Sequence, residues 1–225
     1  MISFKRRHFP KEVILQCVRW YCAYALSYRN IEEMLAERGV KVDHSTLNRW
    51  VVFYAPKLEK EFNKKKKRPG DRWRLDETYI KVKGRWKYYY RAVDKRGNTI
   101  DFLLTAKRDT KAALRYLTKA IQRNGKPGLV NIDKSGANKA AVTQYNTDNN
   151  KRVIVRQCKY LNNIVEQDHR RIKRITRPML GFKNFHSAQS TLAGIEVIAM
   201  IKKGQMKKNM SGKLSSADQF YALAA

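Results

Sequence analysis

The run "NKKKKRPG" at residues 63–70 constrains this chain most, because the spacing of apolar residues changes across it. Before it, apolar residues recur every three or four positions; after it, they fall in short runs rich in β-branched and aromatic residues. Pro69 and Gly70 stop a helix, so the chain divides into a helical part at 1–62, a basic linker at 63–70 and a longer part at 71–225. A lysine run is ordinarily a solvated linker, although it can also track phosphates.

In the first part, "YRNIEEMLAERG" puts Ile31, Met34 and Leu35 on one stripe, and Gly39 ends that helix. "HSTLNRWVVFYA" follows, with Leu47, Trp50, Val51 and Tyr54 on a second stripe and Asp43 placed to cap it. Two helices joined by a short glycine-containing turn have the pattern of a helix-turn-helix. With the apolar stripe inward, a twist of about 100° per residue turns Ser45 and Arg49 outward and leaves Thr46 and Asn48 on the flanks. Such side chains read base edges and phosphates, though any helical hairpin also shows a polar face.

Charge favours the nucleic-acid reading. The chain carries 49 Lys and Arg against 19 Asp and Glu, a net +30 that persists through both halves and points to a polyanionic partner. Because the charge is not confined to one amphipathic helix, a membrane surface fits less well than double-stranded DNA. Cys17, Cys22 and Cys158 do not form a disulfide framework and suit a reducing compartment. Cys17 and Cys22 with His8 and His44 make a poor zinc set, since the cysteines lie within a helical pattern and no second pair follows. Gln16 and Arg19 break the first apolar run, and no run reaches about 18 apolar residues, so the expected location is the cytoplasm.

Beyond the linker, "RWRLDETYIKV", "RWKYYYRAVD" and "TIDFLLTA" read as strands, the last two joined by a hairpin over Lys95–Asn98 in which Asp94 fits the turn. A helix from Asp109 to Gly125, a strand "GLVNID", a helix near 137–145, a strand "RVIVRQC" and a helix from 160 follow. Hairpin first, then alternating helix and strand, predicts an α/β layer with a mixed sheet flanked by helices, preceded by the small all-α domain. The aromatic residues Trp73, Trp86, Tyr88, Tyr89 and Tyr90 are read as sheet packing.

Three acids stand out. Asp76 lies within the first strand, with Glu77 alternating to the other face; Asp133 lies at the carboxyl end of "GLVNID", where ligands collect in open α/β sheets. On the helix after 160, Ile164, Val165, Ile172 and Ile175 form an apolar arc that includes Asp168, which predicts a buried hydrogen bond or ion pair there. Glu166 falls on the polar side with Asn162, His169, Arg170 and Lys173, so Glu166 is the candidate ligand and Arg170 and Lys173 are candidate phosphate contacts. His169 is read as a surface hydrogen-bonding group. Few hard carboxylate ligands suit Mg2+ or Mn2+ and leave room for water and phosphate. From 19 acids many triplets can be drawn, so spacing alone leaves a non-catalytic binding protein equally open.

The blocks "LSYRNIEEMLAERG", "HSTLNRWVVFYAP", "WRLDETYIKVKGRWKYYYRAVD", "NIDKSGAN", "KYLNNIVEQDHRRIKR", "GFKNFHSA" and "AGIEVIAMIKKGQ" resemble, in order and over nearly the full length, bacterial DDE transposases of the insertion-sequence-six group. The resemblance implies an RNase H-like catalytic domain over 71–225 with C-terminal helices, and catalytic, metal-binding acids at Asp76, Asp133 and Glu166 with Lys173 as the basic residue that follows. It further implies binding to terminal inverted repeats and target DNA, strand cleavage and transfer, and a homo-oligomer, to which "STLAGIEVIAM" is a candidate contributor beside ordinary internal packing. The tract after Asp133, "KSGANKAAVTQYN", departs from the family pattern beyond its first residue, which leaves the loop contacts open but not the acids. A transposase relic that binds DNA without cutting it is the rival reading.

Overall fold

The computed structural model describes residues 2–134, 136–207 and 214–225, and of Lys159 the backbone only. The elements run α1 (Lys11–Ala23), α2 (Tyr28–Ala36), α3 (His44–Lys65), β1 (Arg72–Val82), β2 (Arg85–Asp94), β3 (Thr99–Thr105), α4 (Thr110–Asn124), β4 (Leu129–Ile132), α5 (Gly136–Asn149), β5 (Ile154–Gln157), α6 (Lys159–Thr176), a 3-10 turn at Arg177–Met179, α7 (Phe185–Lys202) and α8 (Ser216–Tyr221). They form two compact units, one of residues 1–67 with 172–225 and the other of residues 68–171.

The helical unit corrects the expected boundary. The sequence reading assigns everything after residue 70 to the α/β part, whereas α7 packs on α1 and α3. The cause is visible in α7, where every residue from Ser190 to Ile201 is buried: a helix apolar on all sides needs partners all round. "STLAGIEVIAM" is therefore consumed by packing within the chain. Gly194 sits where α7 meets its neighbours, and a methyl group there would collide with Cys22 Sγ and come within 3.0 Å of the Ala55 Cβ. Cys17 and Cys22 are buried, and burial pushes both thiols up to about 12, which fits packing and not zinc ligation.

The amino-terminal helices start where capping chemistry directs. Ser27 and Asn30 form a reciprocal capping box on α2, and the Asp43 carboxylate accepts from the Ser45 amide at 2.8 Å on α3. The basic run is less detached than expected. Its first residues complete α3, the Lys67 amide donates to the Gln205 carbonyl at 2.7 Å, and Lys67 Nζ donates to the Gly204 carbonyl at 2.7 Å.

The second unit is a five-stranded mixed sheet in the order β3-β2-β1-β4-β5, flanked by helices as expected. β1, β2 and β3 are antiparallel neighbours, while β1–β4 and β4–β5 are parallel. One face, carrying Trp73, Leu75, Tyr90 and Ala92, packs with α4 and α5 residues such as Tyr116, Leu117 and Val142 into the main core. Asp94 closes the β2–β3 hairpin: its carboxylate accepts from the amides of Gly70, Arg96 and Asn98 at 2.8 to 3.0 Å. Burial alone would raise its pKa, but these donors hold it below the ordinary value.

Two stability outcomes are expected. Gly194→Ala should destabilise the fold by roughly 1–3 kcal/mol through overpacking, and Cys22→Ala in the same chain should recover part of it, both read from denaturant midpoints. Because its folded pKa is depressed, Asp94 stabilises the fold above its unfolded pKa, and that contribution is lost as pH falls through the folded value. Asp94→Ala should accordingly lower stability near neutral pH, with the difference from the parent chain shrinking in acid.

Candidate active site

Strand register places the acids singled out on the sheet toward one end of the β1–β4 pair. In the parallel pair, Trp73 lies opposite Val130 and Arg74 opposite Asn131; Asp76 follows two residues after Arg74 within β1, and Asp133 two residues after Asn131, just past the end of β4. Asp76 is 17% exposed at its side chain and Asp133 38%, so both remain open to solvent.

Helix α6 is held over that seam by polar side chains. Asn162, 1% exposed, accepts from Asn131 Nδ2 at 2.6 Å and donates to the Leu75 carbonyl at 3.3 Å, which spans β4 and β1. Two turns later, His169 Nε2 meets Asp76 Oδ2 at 3.2 Å. Glu166 lies between these anchors in sequence and about 40° around the helix from Asn162, at the margin of the buried arc, and its side chain is exposed. Glu166 thus lies on the helix that docks on the β1–β4 seam, four residues after one anchor and three before the other.

Beneath this face is a buried charge system. Arg91 on β2 lies opposite Asp76 and is 0% exposed; its Nη2 donates to Asp168 Oδ2 at 2.7 Å, and its Nη1 stands 3.5 Å from His169 Nδ1. A guanidinium has no acceptor, so His169 Nδ1 receives this proton and Nε2–H is left to donate to Asp76. The expected burial and pairing of Asp168 are observed. His169 differs from the sequence reading: it is 4% exposed, not a surface group, because it is a second link between α6 and the sheet.

Glu77 alternates to the α4 and α5 side as expected, yet it also belongs to the site. Its carboxylate pairs with Arg108 in the β3–α4 loop and accepts from Asn138 Nδ2 at 3.0 Å. Burial raises its pKa, with the Asn138 hydrogen bond and the Arg108 charge opposing. Arg108 Nη2 lies 3.9 Å from Asp133 Oδ2 as well, so one guanidinium bridges the two acids; burial works against its charge, and Glu77 above all keeps it protonated. Nothing in the sequence pattern marks Arg91, Arg108 or His169 for these roles.

Among the described residues, the three His, Cys, Asp or Glu side chains whose ligand atoms come within 4.8 Å of one another are Glu32, Asp43 and His44, an exposed group at the start of α3. Asp76, Asp133 and Glu166 do not close into such a group. Each of the two sheet acids has its own partner, His169 Nε2 at 3.2 Å from Asp76 Oδ2 and Arg108 Nη2 at 3.9 Å from Asp133 Oδ2. As a donor set, three solvent-accessible carboxylates fit a hard divalent cation that retains water ligands.

The remaining predicted residues are placed as follows. Ser45 and Arg49 are exposed on the first half of α3, as expected, while Thr46 and Asn48 are half-buried. Arg49 Nη2 donates to Thr46 Oγ1 at 3.0 Å, and Asn48 Nδ2 donates to the Tyr28 hydroxyl on α2 at 3.2 Å, so three of the four already have protein partners. Arg170 is exposed and Lys173 half-buried on the later turns of α6.

Comparison with known proteins adds the family. Residues 70–205 match a family described as a DDE domain. The chain is 43% identical over 215 residues, 94% of each protein, to a "transposase for insertion sequence-like element IS431mec" of Staphylococcus aureus (strain Mu50). It has the same identity and coverage to a "transposase for insertion sequence element IS257 in transposon Tn4003" from Staphylococcus aureus. Among solved structures, the HTLV-2 integrase catalytic core in complex with magnesium is similar at 19% identity and a TM-score of 0.47, over 58% of this chain and 85% of that one. Matched by the DDE domain over more than half its length and by these relatives over nearly all of it, the chain belongs to the DDE transposases of the insertion-sequence-six group.

Proposed function

We propose that the chain binds the terminal inverted repeats of an insertion sequence and catalyses DNA strand cleavage and strand transfer by metal-dependent phosphoryl transfer. The observation that carries this reading is the β1–β4 seam, where the helix bearing Glu166 is docked by Asn162 on Asn131 and Leu75 and by His169 on Asp76, with Asp133 just past the end of β4. The amino-terminal helices supply repeat recognition through Ser45, Thr46, Asn48 and Arg49, and Arg170 and Lys173 contact phosphates near the scissile bond. A homo-oligomer holds the two element ends together with target DNA.

In this mechanism Asp76, Asp133 and Glu166 hold Mg2+ or Mn2+, which when bound supplies a Lewis acid that eases deprotonation of the attacking oxygen and stabilises the leaving one. The chain's own groups do the positioning. His169 engages one oxygen of Asp76 and leaves the other for ligation, while Arg91 fixes the histidine's orientation from below. Asn162 fixes the helical register that presents Glu166. Water attacks the phosphodiester at the element end, the P–O3′ bond breaks and a 3′ hydroxyl is freed. That hydroxyl then attacks a target phosphodiester, forming one P–O bond as another breaks, with no covalent protein intermediate.

Cleavage and joining of end-containing DNA test the reading directly. Products should require divalent cation, and Asp133→Asn should abolish them while leaving repeat binding intact; activity in a chelator would overturn the mechanism. Binding without any cutting would identify a transposase relic, and hydrolysis without joined products a nuclease. His169→Gln should reduce cleavage about 10–100-fold, with partial recovery at raised magnesium, as expected for a group that orients a ligand. Raising salt from about 50 to about 200 mM should weaken repeat binding by ~10³-fold or more if six or more phosphates are contacted. A flat salt response would mean that phosphate contacts do not dominate.

A further inference from the structure

The β1–β2 hairpin carries aromatic residues that sheet packing does not use. Tyr89 and Tyr90 are fully buried and Trp73 is 2% exposed, in line with the packing role expected of them. On the same hairpin, Trp86 is 63% exposed and Tyr79 46%. Register places Tyr79 opposite Tyr88 and Lys81 opposite Trp86, so Tyr79, Lys81, Trp86 and Tyr88 share one face. The Tyr79 ring lies 6.4 Å from Trp86 at 74° and 5.5 Å from Tyr88 at 57°, so the rings touch by edges and do not cover one another's faces.

Three features give this face a partner. Lys81 lies on it, Lys83 sits in the adjoining turn, Arg85 and Lys87 alternate to the other side of the same hairpin, and no acid occurs from Thr78 to Val93. A second copy of a chain with net charge +30 would meet the same cations and be repelled, whereas a polyanion is attracted. Continuity is the second feature: Tyr79 is two residues beyond Glu77 on one strand face, and Glu77 pairs with the arginine that reaches Asp133. Rigidity is the third. A two-residue turn with Lys83 at φ 50° and Gly84 at φ 73° joins strands paired without a break from Trp73–Asp94 to Val82–Arg85.

From these we infer that Tyr79 and Trp86 form a stacking platform for unpaired DNA bases beside the candidate active site, with Tyr88 half-buried against the core next to them. Duplex DNA keeps its base faces occupied, so a platform of open aromatic faces with cations on the same hairpin suits a strand that has left the duplex. The inference rests on the strand-transfer reading for its biological context, but binding can be measured without catalysis.

The test uses the full chain in chelator, with a thymine oligonucleotide of about 16 nucleotides and a duplex of equal length as probes. Trp86→Ala should weaken oligonucleotide binding about tenfold and leave duplex binding nearly unchanged, and Trp86→Phe should retain most of the affinity. Unchanged oligonucleotide binding, or equal loss on both probes, would overturn the platform. So would a change in oligomeric state with single-strand affinity intact, which would make the face a protein interface. Since no divalent ion is present, a failed cleavage assay leaves this result standing, and a failed platform leaves the three acids untouched.

Discussion

One buried cation organises the α/β unit's functional end. Arg91 sits in a central strand with no solvent exposure, and its charge is satisfied by Asp168 and His169 on a single helix. Removing one partner from such a system costs about 3–5 kcal/mol, because the other is left charged and buried. The helix therefore cannot slide or turn on the sheet without breaking this ion pair. Its register in turn fixes where Glu166 and His169 stand, and His169 fixes an oxygen of Asp76. Stability and site geometry are thus coupled through the same side chains.

The site answers a paradox of composition. In a chain with 30 more cations than anions, acids gathered at one seam would be neutralised by whatever cation came near. The fold assigns specific partners to them: a half-exposed arginine bridges Glu77 and Asp133, and a buried histidine meets Asp76. Of these acids Glu77 is the most enclosed, and Asp133 and Glu166 face solvent. The least shielded carboxylates are the ones assigned to metal and substrate, whereas the enclosed one holds a loop arginine in place.

Much of this was readable in one dimension. Parity along β1 separates Asp76 from Glu77, and helical period puts Asp168 in the apolar arc of α6; both are local rules, and both hold in the structure. The caps at Asp43 and Asp109 and the hairpin at Asp94 were legible for the same reason, since a capping side chain bonds to amides a few residues away. His169 was misread because the same wheel sets it beside Glu166, and nothing local shows that the buried arc of the helix extends that far. Trp86 was misread in the opposite sense: strand composition favours aromatic packing, but a hairpin longer than its neighbouring strand leaves residues near its tip uncovered.

The sequence by itself determined the change from helices to sheet at the basic run, the faces on which the acids lie, and the family to which those motifs belong. Only the tertiary structure decided which cation meets which acid, since Arg91 and Asp168 are distant in the chain and any of 49 cations satisfies the composition equally well. It also decided that the last helices join the amino-terminal unit. An all-round apolar helix states that it must be buried, but its own residues do not say against what.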